Sequence, residues 1–220
     1  EILGANGIRN KGSYAAGLFL AVIIPLFSLT EKVWWMAAAL VLGLGFFTYL
    51  MTRIGKQAPA WVAVPEIVLA LSLYRGLACY GEIPHGAFFL CLTGLICALT
   101  DIFAYLVGSR FGRHKLAPKV SPGKSIEGAL GGLGITVVLI VLVFGRFFDD
   151  IGTLVLYTAV VSILGQFGDL SMSAVKRVAG VKDFGHIFPG HGGILDRCDS
   201  LMYPLAFTWL LYCAQIWIFV

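Results

Sequence analysis

Residues 87–107 read AFFLCLTGLICALTDIFAYLV, a run of 21 residues in which Asp101 is the single charge. A run of that length spans the roughly 30 Å hydrocarbon core of a bilayer as a helix. It lacks the two-residue alternation of a barrel strand, and an open sheet leaves its backbone groups unsatisfied in lipid. The rest of the chain agrees. Of 220 residues 59% are hydrophobic and 13% charged, whereas soluble domains carry about 25% charged residues. The fold class is therefore an all-α polytopic membrane protein. Seven spans are expected, at 14–29, 33–50, 61–80, 87–107, 126–144, 154–170 and 201–220. The third holds Pro65, Glu66 and Arg75, with the two charges expected to join helices or line a cavity. Without internal repeats or low-complexity linkers, residues 1–220 form a single integral membrane domain. Opening at Glu1 rather than Met, the chain is expected to lack part of its N-terminal region, and it shows no cleavable signal peptide.

Charge placement orients the bundle, because cytoplasmic loops carry the excess of Lys and Arg. Of 16 such residues only Lys32 and Arg146 fall on one side, with Arg75 inside a span. The other side is thus cytoplasmic, and it holds both long polar loops, 108–125 and 171–199. Cys79, Cys91, Cys97, Cys198 and Cys213 show no C-x-x-C pair or zinc-like spacing. They are expected to be small buried hydrophobes.

The chemistry concentrates in those loops. In the first, the segment Ser121-Pro-Gly-Lys-Ser125 stands immediately before a span. Exposed amides at a helix start, with Lys124 and the hydroxyls of Ser121 and Ser125 beside them, suit a phosphate. The Walker spacing is absent, and a plain topology anchor remains the alternative for the basic residues. In the second, a helix continuing past the membrane surface sets Asp169, Ser173 and Lys176 on one face. A carboxylate at that depth needs a cation or a hydrogen-bonded partner; a structural salt bridge would also satisfy it. Asp196 and Asp199, three apart at the start of the last helix, point the same way. They suit the helix dipole, and with phosphate nearby they also suit Mg²⁺. Just upstream stand His191, Gly192 and Gly193. Asp101 shares a helical face with Tyr105 and Gly108, directed into the bundle to line a cavity or to bond a neighbouring helix. Gly128 and Gly132 permit close helix packing.

Residues 173–199 contain Ser173, Lys176-Arg177, Lys182-Asp183, His191-Gly192-Gly193, Asp196-Arg197 and Asp199 in order. This pattern resembles the signature of the phosphatidate cytidylyltransferase (CDP-diacylglycerol synthase) family. The resemblance covers about residues 98–201, including DIFAYLVGSRFG and GRHKLAPKVSPGKSIEG. Cys198 departs from it, standing where the family has an aliphatic, Phe or Thr residue. The resemblance implies Mg²⁺-dependent nucleotidyl transfer from CTP to phosphatidate, giving CDP-diacylglycerol and pyrophosphate for phospholipid biosynthesis. Asp169, Asp196 and Asp199 are then the expected metal ligands, with Asp183 a fourth candidate. Lys124, Lys176, Arg177, Lys182 and Arg197 are cations for the substrate phosphates. Gly192, Gly193, Ser121, Ser125, Ser173 and Asp101 border the substrates. His191 either donates to a phosphate or orients another group. Four acids exceed the usual protein share of one Mg²⁺, which leaves room for a second cation.

Two other classes fit the composition. A transferase on another lipid phosphate or on a CDP-alcohol is one, although the D-G-x-x-A-R pattern of CDP-alcohol phosphotransferases is absent. An ion-coupled transporter is the other, although the chain lacks inverted repeats. The expected setting is a bacterial inner membrane with the active site facing the cytoplasm, no nucleic-acid partner and a symmetric homodimer. The expected site is a polar cavity at the cytoplasmic boundary, floored by Asp169, Asp196 and Asp199, walled by Lys124 and Lys176, and reached by Asp101.

Overall fold

The computed structural model describes residues 80–82, 85–181, 183 and 195–213. Spans expected at 14–29, 33–50 and 61–80, with Glu66 and Arg75, therefore lie outside the described residues, apart from Tyr80. So do Lys182, His191, Gly192, Gly193, the side chain of Arg197 and the end of the seventh span. After a short 3₁₀ turn at Tyr80–Glu82 come α1 (Gly86–Phe111), β1 (Lys115–Ala117), β2 (Ser121–Ser125) and α2 (Ile126–Phe144). Beyond a 3₁₀ turn at Gly145–Phe147 follow α3 (Ile151–Ala179), α4 (Leu195–Cys198) and α5 (Met202–Cys213). Gly86–Phe111, Ile126–Phe147 and Ile151–Val178 are each long and apolar enough to cross a membrane.

The helix ends follow local chemistry. Ser125 is extended, and its Oγ accepts from the Gly128 amide at 3.1 Å, satisfying one of the orphan donors that open α2. Asp150 does the same for α3, accepting from Gly152 N at 3.0 Å and Thr153 N at 2.9 Å. With 29 residues, α3 is about 43 Å long. It is therefore longer than the roughly 30 Å hydrocarbon core needs, and its C-terminal part carries the polar Ser173 and Lys176.

α1 and α2 form the most extensive pairing in the described part. A Cβ placed on Gly132 would stand 2.8 Å from both Thr100 O and Ala104 N. The two backbones meet there without side chains between them, the approach that glycine allows in membrane helices. Polar contacts knit the same layer. Thr100 Oγ1 donates to Ser162 Oγ of α3 at 3.0 Å, and Tyr157 Oη meets Thr93 Oγ1 at 2.7 Å and Thr208 Oγ1 at 2.9 Å. Inside lipid such groups must find partners in the protein.

Two structural findings modify the sequence reading. The loop 108–125 is not irregular: α1 runs on to Phe111, and a small antiparallel β1–β2 hairpin follows. Its non-polar side is anchored, since Ala117 and the fully buried Val120 join Met172, Val175 and Val178 of α3 in one core cluster. Pro122 and Gly123 discourage a strand reading, but a two-stranded edge tolerates both. The cysteines also differ from expectation. Cys97 is buried, whereas Cys91 is exposed on α1 and Cys198 is half-buried. A thiol is a small apolar group, so an exposed position on an apolar helix suits it as well as a core does.

Candidate active site

α1, α2 and α3 alternate in direction, so the C-terminal part of α1, the start of α2 and the far part of α3 share one end of the bundle. The β1–β2 hairpin and the turn after α4 lie there too. Between them is a cavity of about 520 Å³. α1 contributes Asp101, Tyr105, Gly108 and Ser109 to its lining, and α3 contributes Gln166 and Asp169. Ser121, Gly123, Lys124 and Ser125 come from the hairpin, while Asp196 and Asp199 come from the α4 turn. Four carboxylates separated by up to 98 positions are thus gathered on one polar space at the end of an apolar bundle.

Three of these acids are held by specific partners. Asp169 Oδ2 pairs with Lys124 Nζ, and Ser173 Oγ, one turn along α3, donates to Asp169 Oδ1 at 3.4 Å. Lys176 Nζ lies 2.6 Å from Asp196 Oδ1 and 3.7 Å from Asp199 Oδ2. Those side chains are 13% (Lys176), 7% (Asp196) and 15% (Asp199) exposed. The Ser200 amide donates to Asp199 Oδ1 at 2.8 Å. Burial, reinforced by the nearby negative charge of Asp169, pushes the Asp199 carboxyl up to about 6 even though Lys176 and the Ser200 amide oppose the shift.

The seat of that turn is a feature the sequence reading passed over. A Cβ on Gly168 would lie 2.5 Å from Asp199 O, and one on Gly165 would lie 3.3 Å from Ser200 O. The turn therefore rests directly on α3, one residue before Asp169. Phe167 packs edge-on against Tyr203 at 5.2 Å between ring centres, closing the apolar side of the seat. The spacing Gly165-x-x-Gly168 carries the signal, but in a chain with 27 glycines it does not stand out. Gln166 was equally unmarked; its Nε2 donates to Ala129 O at 3.3 Å and bridges α3 to α2 at the cavity wall. A third unmarked contact steadies the hairpin. Glu127 accepts from the Arg113 amide at 3.0 Å and the His114 amide at 3.2 Å, and meets His114 Nδ1 at 2.6 Å.

Several expected roles shift in place. Lys176 is not part of the cavity lining; its ammonium is engaged by Asp196 and Asp199, which are part of it. Arg177 Nε donates to Val120 O at 3.2 Å and so braces the turn between the strands. Ser125 lines the cavity while its hydroxyl caps α2. Asp183 is exposed and apart from the lining. Asp101 lines the cavity with Tyr105 and Gly108, as their shared face requires. Among the described residues, no group of three His, Cys, Asp or Glu side chains is drawn tightly enough to hold a metal ion. Asp169 and Asp199 share the cavity and feel each other's charge, but each leans toward a lysine.

The chain's relationships agree with this chemistry. The model of the cytidylyltransferase family matches residues 2–214, and the chain belongs to that family. It is 37% identical over 213 residues to a phosphatidate cytidylyltransferase of Staphylococcus epidermidis, covering 93% of this chain and 81% of that protein. Identity reaches 47% over 128 residues with the phosphatidate cytidylyltransferase of Staphylococcus haemolyticus, covering 57% of this chain and 49% of that protein. With that of Staphylococcus aureus strain COL it is 48% over 123 residues, covering 55% of this chain and 47% of that protein. In these last two matches the aligned stretch spans about half the relative's length.

Proposed function

We propose that the chain transfers the cytidylyl group of CTP to phosphatidate, forming CDP-diacylglycerol and releasing pyrophosphate. The observation that carries this is the cavity itself: four carboxylates and Lys124 at the end of an apolar bundle, in a member of the cytidylyltransferase family. One substrate is soluble and polyanionic, while the other keeps its phosphate at headgroup depth, so a polar space bounded by membrane helices suits their meeting.

A phosphate-monoester oxygen of phosphatidate attacks the α-phosphorus of CTP. The new P–O bond forms as the bond to the β-phosphate bridging oxygen breaks, and pyrophosphate carries away the electron pair. The nucleophile is already anionic near neutral pH, so positioning and charge neutralisation supply most of the rate. Lys124, in the cavity lining, is placed to hold a phosphate oxygen; Lys176 reaches the site through Asp196 and Asp199, and Ser173 orients Asp169. The donor chemistry fits Mg²⁺, because Asp101, Asp169, Asp196 and Asp199 offer the hard oxygen ligands it takes. Asp169, Asp196 and Asp199 would hold it; a second cation would draw on Asp101 of the lining in place of the exposed Asp183. Bound there, Mg²⁺ supplies neutralisation of phosphate charge.

In this reading residues 1–220 form a single domain that crosses a bacterial inner membrane with about seven spans and works as a symmetric dimer. Loops 108–125 and 171–199 face the cytoplasm in this reading, supported by the uneven placement of Lys and Arg. The deciding assay is CTP-dependent pyrophosphate release from the purified chain in mixed micelles. Release that requires phosphatidate and Mg²⁺ is expected. Equal release without phosphatidate, or none with it, rejects the reaction.

A further inference from the structure

Among the described residues the site contains four carboxylates, Asp101, Asp169, Asp196 and Asp199, and two ammonium groups: Lys124 on Asp169, and Lys176 on Asp196 and Asp199. The lysines reach the acids from different directions, one from the end of β2 and one from α3. Lys176 and its two partners are almost withdrawn from water. A buried charge that loses its partner is expensive to leave bare. Asp196 therefore needs a cation at every stage, and Lys176 needs an anion. A divalent cation arriving alone must displace ammonium groups already seated on the acids. A triphosphate arriving alone meets carboxylates that already hold the cations it needs.

From this we propose that Lys124 and Lys176 are place-holding counter-ions that exchange partners during binding. When nucleotide and divalent cation enter together, the lysines pass from carboxylate to phosphate and the carboxylates pass to the metal. No buried charge is stranded at either end of the exchange. The consequence is positive coupling between cation and nucleotide, and it rests on the nucleotidyl-transfer reading above. Coupling free energies of this kind correspond to about 5- to 150-fold in affinity, and the effect is reciprocal.

The test uses the full chain in detergent and reads binding directly. Mn²⁺ is titrated by electron paramagnetic resonance without nucleotide, and CTP is titrated separately in EDTA. Lys176→Met and Lys124→Met should each bind Mn²⁺ at least about fivefold tighter than wild type, and each should bind CTP at least about fivefold weaker. Lys119→Met is the control, because Lys119 is exposed on the same hairpin and has no acidic partner among the described residues; it should leave Mn²⁺ affinity unchanged. A lysine variant that tightens Mn²⁺ but leaves CTP binding untouched overturns the exchange, since a merely structural salt bridge would do that. An equal gain from Lys119→Met overturns it too, by reducing the effect to general surface charge. If Lys176→Met fails to fold, Lys124→Met decides the matter, its pair being about a quarter exposed. Wild-type chain that releases no pyrophosphate from CTP rejects the reaction itself, while the nucleotide-free Mn²⁺ titration still judges the lysines.

Discussion

Asp196 and Asp199 illustrate how position and chemistry divide the work at single side chains. Both approach Lys176, so a neutral amide at either position keeps the shape and loses the charge. Asp196→Asn and Asp199→Asn should each lower turnover about 100- to 1,000-fold, the scale of removing one preorganised electrostatic group. Pyrophosphate release at saturating Mg²⁺ measures it, and near-wild-type rates in both variants reject the ligand assignment. Asp199 also gives a signed pH prediction for metal-free protein. Its folded carboxyl sits at about 6 against an ordinary 3.8. The stability it contributes is fully present below the ordinary value and is lost as pH rises through about 6. In EDTA, the melting temperature of Asp199→Asn should therefore gain on wild type as pH climbs from about 4 to above 6. A difference that stays flat across that window refutes the assignment.

Much of this chemistry was legible residue by residue. The common face of Asp169, Ser173 and Lys176 follows from helical spacing, and Ser173 does reach Asp169. What spacing does not carry is partner choice. Lys124 meets Asp169 across 45 positions, and Lys176 meets Asp196 across 20, through contacts that only packing decides.

Among the elements, α2 was readable to its ends, because Ser125 caps it and Gly145 follows it. In α3 hydropathy fades near Asp169, yet the helix continues past it to Ala179, as the common face of Asp169, Ser173 and Lys176 requires. The hairpin has the look of a loop in sequence, because its burial against Val175 and Val178 is a tertiary event. Two changes test how these elements carry the site. Gly168→Ala introduces a methyl 2.5 Å from Asp199 O, which must push the turn off α3. Activity should drop at least about tenfold although no reacting group is altered; a displacement of 1 Å is enough to cost about 100-fold. Turnover and melting temperature measured together check this, and full activity with unchanged melting shows that the seat yields freely. Glu127→Gln keeps a side-chain oxygen to accept from the two amides but gives up the carboxylate charge beside them and beside His114 Nδ1. The hairpin should loosen, with faster proteolysis between residues 112 and 121 and a raised KM for CTP. An unchanged cleavage pattern argues that the α3 core alone holds it.

Across the whole molecule, the distribution of Lys and Arg makes the orientation testable. Single cysteines at positions 119 and 149, in a chain cleared of its native ones, should respond oppositely to an impermeant thiol reagent on intact cells. Position 149 should label and 119 should be protected; the reverse pattern would turn the site away from the nucleotide pool. The joining of α1 to α2 sets a different kind of limit. At Gly132 the two helices touch main chain to main chain, and a packed interior does not deform by degrees. These helices therefore behave as one plank, and they carry Asp101, Tyr105, Ser109 and Ala129 as a fixed wall. Among the described elements, breathing that admits the lipid of the proposed reaction would come from the opposite bank, where the Asp196–Asp199 turn leans on α3. The enzyme would then open like a door with a single moving leaf, and the acids would travel on that leaf.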